Sequence, residues 1–194
     1  MDLIEFKKKL TDILKQKFQL KDEDIWVWEK NPNVEGVKAF YGNGVVNNAV
    51  VIWVTERPSS ARYKRKQNKF PDKIDDIFYR LLKEEGFENM HLTDFVKIMN
   101  KAGKNPTDEE LIANTELMKD EIEMLVKRVE GKKLIIVANS DDVKTWMKRY
   151  LPEYSPYVAY KKFFKWYFQR SGLKWDVGKE RLRQDIKDIY NMTK

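Results

Sequence analysis

The stretch Ala49-Val50-Val51-Ile52-Trp53-Val54, followed by Thr55-Glu56-Arg57-Pro58, decides the fold of this chain. A continuous apolar run of this length, rich in β-branched residues, predicts a strand that is buried on both faces of a sheet. The strand ends beside an acid, Glu56. A second predicted strand, Met90 to Val96, carries Asp94 near its own carboxyl end. Because ligands of open α/β sheets bind outside the carboxyl ends of the strands, Glu56 and Asp94 are candidates for a functional site.

A basic segment follows the first strand. From residue 57 to residue 73 it contains seven Lys or Arg residues and a single acid, Asp72. Each phosphate that such a residue neutralises releases counterions, so the segment favours nucleic acid as a partner over the alternative of an ordinary solvated loop. The cations that we expect to contact DNA here are Arg57, Arg62, Lys64, Arg65, Lys66 and Lys69.

Helices and strands alternate through the rest of the chain. Short strands are predicted at Ile25 to Glu29 and Gly36 to Tyr41, and a third buried strand at Leu134 to Ala138. Helices are predicted at Lys73 to Glu85, from a capping box of Thr107 and Glu110 to Gly131, and from a Ser140 cap to Tyr150. This order predicts an α/β fold, a three-layer α/β/α sandwich around a central, mostly parallel four-stranded sheet.

Length and composition narrow the class of protein. We expect the 194 residues to form one domain, with an N-terminal helix and short strands over 1–48, a core over 49–160 and C-terminal helices over 161–194. The absence of cysteine excludes disulfides, thiolate zinc sites, iron–sulfur clusters and a cysteine nucleophile. The single histidine, His91, argues against multi-histidine metal sites, and we expect it to be structural because it lies at the start of a strand. We therefore expect no metal or other cofactor.

The same composition bears on location and source. The chain has no apolar run of about 18 residues and no cleavable signal at Met1, so we expect a cytoplasmic protein with no membrane partner. We also expect a monomer. The abundance of Lys, Glu and Ile without cysteine points towards a thermophile.

The segment Tyr157 to Arg170 interleaves aromatic and basic residues. We interpret it as an amphipathic core helix whose lysines extend over apolar surface to reach water. The alternative assigns Lys161 and Lys162 to DNA phosphates and leaves one exposed ring to stack on a base.

Over roughly residues 49 to 160 these segments resemble, in unbroken order, the uracil-DNA glycosylase superfamily, and most closely its thermophilic family 4 type. Thr55-Glu56-Arg57-Pro58-Ser59 is similar to the family's Gly-Glu-x-Pro-Gly motif, Phe70-Pro71 to its Pro-Phe pair, Thr93-Asp94-Phe95-Val96-Lys97 to Thr-Asn-x-Val-Lys, and Pro106-Thr107-Asp108-Glu109-Glu110 to Pro-Thr-x-Glu-Glu. The chain departs from the family in lacking the two glycines of the first motif and the iron–sulfur cysteines. Ser155-Pro156-Tyr157 stands where relatives have a His-Pro-Ser type motif, without its histidine.

The resemblance implies a DNA glycosylase that flips a damaged or deaminated base out of the duplex and hydrolyses its N-glycosidic bond. It gives Glu56 the catalytic role of stabilising the sugar cation or orienting water, and it places Phe70, Asp94 and Ser155 against the base. An ionised Asp94 only accepts hydrogen bonds, whereas the family's Asn both donates and accepts. We therefore expect a specificity shifted away from uracil.

Each of these roles has a structural alternative. Glu56 can form a salt bridge with Arg57 or Arg62, Phe70 can plug the core beneath the loop, and Asp94 can pair with Lys97 or a loop arginine. For the whole chain, the alternatives are a noncatalytic nucleic-acid-binding protein on the same scaffold and a small-molecule enzyme that acts on a nucleotide or another anion.

Overall fold

The computed structural model describes residues 3–21, 25, 43–57, 73–98, 104–169 and 171–194. Its helices are α1 (Leu3–Phe18), α2 (Lys73–Glu84), α3 (Asp108–Lys127), α4 (Asp141–Tyr150), a 3-10 helix (Pro152–Tyr157), α5 (Trp166–Gln169) and α6 (Trp175–Met192). Its strands are β1 (Val45–Val46), β2 (Ala49–Thr55), β3 (His91–Asp94), β4 (Lys133–Ala138) and β5 (Val158–Tyr160). The strands predicted at Ile25 to Glu29 and Gly36 to Tyr41 lie outside the described residues, except that Ile25 forms an isolated bridge with Ile98.

The strand β2 lies at the centre of the sheet. It pairs in parallel with β3 on one side and with β4 on the other, and β4 pairs in parallel with β5. The two-residue β1 is antiparallel to the start of β2. The predicted α/β fold with a mostly parallel central sheet is therefore confirmed, with four parallel strands and one short antiparallel strand.

The apolar residues of β2 alternate between two cores. Val50, Ile52 and Val54 belong to the core that includes residues of α1, α3 and α4. Val51 and Trp53 belong to a second core with residues of α2, α5 and α6. Since helices cover both faces of the sheet, the β2 side chains are buried on either side, which explains why the sequence of this strand is continuously apolar.

Local capping signals set the start of two helices. In α3, the Glu110 amide donates to the Thr107 hydroxyl at 3.1 Å and the Thr107 amide donates to the Glu110 carboxylate at 2.9 Å, which is the predicted capping box. The Ser140 hydroxyl accepts a bond of 3.2 Å from the Val143 amide and caps α4 as predicted. The apolar residues Leu111, Met118, Ile122 and Leu125 of α3 are buried, whereas Ile112 is 56% exposed.

The segment Tyr157 to Arg170 differs from the predicted amphipathic helix. Val158–Tyr160 forms β5, whose residues pair with Ile136–Ala138 of β4, and only Trp166–Gln169 is α-helical. A strand of three residues receives its hydrogen bonds from its neighbour, so its own sequence carries little local signal. The aromatic content of the segment serves the core nonetheless, since the Phe164 ring stacks on Phe78 with centroids 4.3 Å apart.

No helix in the described part of the chain is long and apolar enough to cross a membrane.

Candidate functional site at the carboxyl edge of the sheet

The topology places a switch point between the carboxyl ends of β2 and β4. From β2 the chain crosses by α2, over one face of the sheet, to β3 on one side, and from β4 it crosses by α4, over the opposite face, to β5 on the other side. Neighbouring strands whose connections diverge in this way form a topological switch point, where open α/β sheets bind their ligands. Here Thr55 ends β2, Glu56 follows it, and Asn139 follows β4.

Glu56 and Asp94 lie on adjacent strands at this edge. Thr55 is the register partner of Asp94, and main-chain bonds from Phe95 to Thr55 and from Val96 to Glu56 continue the pairing beyond the strands. The Glu56 residue is partly exposed, whereas Asp94 is completely buried. The Thr55 hydroxyl donates to the Asp94 carboxylate. Asp94 therefore sits beneath the edge, and its carboxylate holds Thr55.

Asn139 lies beside Thr55, one residue beyond the register pair Val54 and Ala138. Its amide N–H donates to the Val54 carbonyl at 2.9 Å, so the main chain continues the ladder. The side chain is completely buried, and neither its Nδ2 nor its Oδ1 has a hydrogen-bond partner within the described ranges. A buried carboxamide with its donor and its acceptor both unpaired thus lies at the switch point.

Tyr160, at the end of β5, gathers two cations at the same edge. The Lys144 Nζ lies 5.1 Å and the Lys162 Nζ 5.8 Å from the centroid of its ring, within the range of cation–π attraction. Lys162 also pairs with Asp141 at 3.6 Å and remains 46% exposed. Burial raises the pKa of the Tyr160 hydroxyl, with Asp141 adding to the effect and Lys162 opposing it. Two lysines and Asp141 therefore surround the Tyr160 ring at this edge.

A buried polar network supports β3 from below. Glu121 of α3 accepts from Lys97 at 2.8 Å and from Thr93 at 3.1 Å, and its other oxygen lies 2.8 Å from His91 Nε2. Lys97 Nζ also donates to the Asp94 carbonyl, which ties the network to the end of β3. His91 is thus a buried, hydrogen-bonded histidine, as predicted.

The network determines the charge state of Glu121. Burial by itself would raise the pKa of this carboxyl, but the Lys97 ammonium and the His91 hydrogen bond outweigh burial and lower the pKa to about 2. Glu121 therefore stays ionised in the core and forms a buried ion pair with Lys97.

Two of the cations predicted to contact DNA are occupied within the protein. The Arg57 guanidinium donates to Glu110 at 3.3 Å and to the Ile98 carbonyl at 3.1 Å, and its side chain is only 9% exposed. Lys161 bonds to Asp185 at 3.1 Å and to Asp188 at 2.8 Å on α6. In place of the predicted phosphate contacts, the structure gives Arg57 and Lys161 a packing role, because carboxylates already neutralise both.

Ser155 lies at the opposite edge of the sheet from Glu56 and Asp94. It belongs to the 3-10 helix that precedes β5, whereas Glu56, Asp94 and Asn139 lie at the carboxyl ends of strands parallel to β5. The structure therefore does not bring Ser155 together with Asp94, and a contact between Ser155 and a base stays a prediction. The residues that follow β5 at the functional edge are Lys161 and Lys162.

The remaining predicted site residues lie outside the described residues: Arg62, Lys64, Arg65, Lys66, Lys69 and Phe70. Of the predicted constellation, the structure brings together Glu56, Asp94 and the exposed Lys162 at one edge.

The sequence patterns used above did not select Asn139 and Lys144. Asn139 follows the predicted strand Leu134 to Ala138 as Glu56 follows the first strand, so the same rule about carboxyl ends would have found it. Lys144 carries no such signal, since it becomes part of the edge only through its contact with Tyr160.

A pocket of about 380 Å³ lies at the other edge of the sheet, and both apolar and charged residues line it: Glu123, Val126, Lys127, Lys132, Lys133, Leu134, Tyr154 and Tyr157. The lysines there are engaged with the protein, since Lys132 donates to the Asn47 carbonyl and Lys133 to the Met192 carbonyl. Among the described residues, no group of three or more histidines, aspartates or glutamates is placed to hold a metal ion.

Comparison of the chain with models of known protein families finds no match, and comparison with curated proteins finds none either.

Proposed function

We propose that this protein binds DNA at the carboxyl edge of its sheet and hydrolyses the N-glycosidic bond of a flipped-out damaged or deaminated base. One observation carries the proposal: the partly exposed residue Glu56 and the buried Asn139 carboxamide flank the switch point together. A carboxylate suits the sugar, and a carboxamide suits the polar edge of a base.

The chemistry at the sugar falls to Glu56. Departure of a base leaves positive charge on the deoxyribose, and a fixed carboxylate can stabilise that charge or orient the attacking water. Glu56 is held for this role by the rigid end of the central strand, where its carbonyl accepts the Val96 amide at 3.0 Å. Precise placement of this kind matters more for rate than the presence of an acid alone.

The chemistry at the phosphates falls to cations on the same edge. Lys162 is largely exposed, and Lys144 is exposed on the first turns of α4. Both flank the Tyr160 ring, so a backbone that passes this ring would meet two positive charges. Residues 58 to 73 connect β2 to α2 in the sequence, and their six Lys and Arg residues are further cations of the proposal.

Resemblance to the uracil-DNA glycosylase superfamily supports the same reaction, since it independently selects Glu56 as the catalytic carboxylate and Phe70 as the ring that stacks on the base. The buried position of Asp94 changes its part in the proposal. Because the Asp94 carboxylate accepts from Thr55, we assign it to positioning the end of β2 rather than to direct contact with a base.

The test is incubation with single- and double-stranded oligonucleotides that carry uracil, hypoxanthine, xanthine or a mismatch, followed by alkaline cleavage at abasic sites. We expect the wild type to produce abasic sites on at least one substrate, and Glu56→Gln to lower the single-turnover rate at least about a hundredfold, the scale of one acid–base group.

The matched control is Glu130→Gln, which makes the same chemical change at an exposed residue near the start of β4, at the opposite edge. It should leave the rate unchanged. Equal loss in both variants, or wild-type protein that leaves every substrate intact, would contradict the glycosylase proposal.

A noncatalytic nucleic-acid-binding protein is the second candidate. The observation that favours it is the placement of Ser155 at the opposite edge, because the segment that stands for the family's His-Pro-Ser motif then does not lie beside Glu56. Salt-dependent DNA binding without abasic sites on any substrate would select this function over the first.

A further inference from the structure

The side chain of Asn139 is a polar group that the fold itself does not use. Its carboxamide is completely buried, and both of its polar atoms lack a hydrogen-bond partner throughout the described segments. Leaving a buried polar group unpaired destabilises a protein by about 1–3 kcal/mol, and such groups are rare enough in native structures to require an explanation.

The main chain around Asn139 is satisfied without its carboxamide. The Asn139 amide N–H donates to Val54, and the cap of α4 is provided by the next residue, Ser140. An apolar side chain of similar size would meet the same backbone requirements and would bury no unpaired atoms. The requirements of folding therefore do not explain an Asn at this position, whereas a ligand that pairs with both polar atoms of the carboxamide would explain it.

We propose that the carboxamide of Asn139 recognises the hydrogen-bonding edge of a nucleobase that enters the crevice between β2 and β4. This inference rests on the proposed function, because it takes a base as the ligand of this crevice. A carboxamide offers one donor beside one acceptor and pairs in a plane with an edge that offers the reverse. The carbonyl and adjacent ring N–H of uracil or hypoxanthine present such an edge.

The neutral Asn139 carboxamide and the ionisable Asp94 carboxylate lie close together, and the inference gives them separate roles. Thr55 lies between Asp94 and Asn139 across the three strands and donates its hydroxyl to Asp94. The acid is thereby held by the protein, and the neutral amide on the other side of Thr55 is left for the ligand. Because Asn139 is buried, the edge must open to admit the base.

The experiment measures equilibrium binding in the Glu56→Gln background, so that cleavage does not interfere. Oligonucleotides carry uracil or hypoxanthine, each compared with a nonpolar isostere of the same shape that cannot form hydrogen bonds. We expect about tenfold or greater preference for the polar base, the range of one bidentate pair, and we expect Asn139→Leu to reduce that preference to about one.

Asn191→Leu is the control, since Asn191 is exposed near the end of α6 at the opposite edge. It should leave the preference intact. A second measurement does not depend on the stability of the Asn139→Leu variant: the side-chain amide resonances of Asn139 should shift on adding the polar oligonucleotide and not on adding the isostere.

The outcomes separate the two proposals. Preference that persists in a folded Asn139→Leu variant, resonances that do not shift, or a Glu56→Gln protein without any preference would overturn the role of Asn139, even where the wild type cleaves. Preference that depends on Asn139, in a protein that forms no abasic sites, would support the role of Asn139 and overturn the glycosylase reaction alone.

Discussion

The Glu121 carboxylate is buried in the core with Lys97, Thr93 and His91 around it. Ion pairs of this kind add little to stability as a whole, but loss of one partner leaves an uncompensated charge in the interior. Glu121 matters for the candidate site because its partner Lys97 also donates to the carbonyl of Asp94. The Lys97 side chain thus connects the buried Glu121 carboxylate to the carboxyl edge of the sheet.

The pKa of Glu121 predicts a pH dependence of stability. Since its pKa falls from 4.5 to about 2 on folding, the ionised form stabilises the fold above about pH 4.5, and this stabilisation is lost as the pH falls towards 2. The contribution is on the order of 3 kcal/mol. Urea denaturation of the wild type and of Glu121→Gln should show curves of unfolding free energy that converge over this interval.

At neutral pH the same Glu121→Gln variant should be destabilised by about 3–5 kcal/mol, because Lys97 is then left charged and unpaired. Lys97→Met combined with Glu121→Gln serves as the control and should recover part of that loss. A double variant no more stable than the single one would contradict the ion-pair explanation.

At the scale of elements, α6 packs closely against α5 and against the residue that follows β5. Asp185 of α6 accepts from Lys161 and from the Tyr167 hydroxyl, and α6 crosses the residues of α5 at Gly178. A Cβ atom at Gly178 would lie 2.6 Å from the Tyr167 carbonyl oxygen, which is main chain and cannot rotate away. Glycine is therefore required there by the contact.

We predict that Gly178→Ala destabilises the protein by about 1–3 kcal/mol, the usual range for overpacking. Alanine would otherwise stabilise a helix interior by about 1 kcal/mol relative to glycine, so the sign of the change distinguishes the two effects. Thermal unfolding measures this change in stability, with Lys179→Ala on the same helix as the control. A rise in Tm for Gly178→Ala would contradict the prediction, because it would mean that α5 moves away to accommodate the Cβ atom.

At the scale of the whole molecule, the position of the charges matters more than the net charge of +7. Lysines occur at both edges of the sheet, and Lys127 at the amino edge pairs with Glu123 much as Lys162 at the carboxyl edge pairs with Asp141. The edges differ in that Lys144 and Lys162 also border an aromatic ring, that of Tyr160. We therefore expect DNA to be held at the carboxyl edge.

This expectation is tested by the salt dependence of DNA binding. Lys144→Gln with Lys162→Gln should weaken binding to all sequences alike and lower the slope of log K against log salt by about two, one for each phosphate that is no longer neutralised. Lys127→Gln with Lys132→Gln removes the same charge at the amino edge and should leave the slope unchanged. Equal slopes for both double variants would argue against the proposed DNA path.

The sequence alone was sufficient for the longer elements, although it mispredicted the short strand β5 as part of a helix. The strand β2 and its neighbour β4 were visible as apolar runs, and the cap of α3 was visible in Thr107 and Glu110. These features depend on residues a few positions apart, whose burial and hydrogen bonds the chain can satisfy within one element. The alternation of such elements also predicted the parallel sheet, because parallel strands need crossover connections.

Only the tertiary structure decided which side chains meet. Arg57 finds Glu110, 53 residues away, and Tyr160 finds Lys144 only because β5 pairs with β4. Ser155 precedes β5 and Asn139 follows β4, so the parallel pairing of these two strands puts the residues at opposite edges of the sheet. The three-residue β5 owes its existence to hydrogen bonds with β4, a segment distant in the chain, so no local pattern of residues specified it.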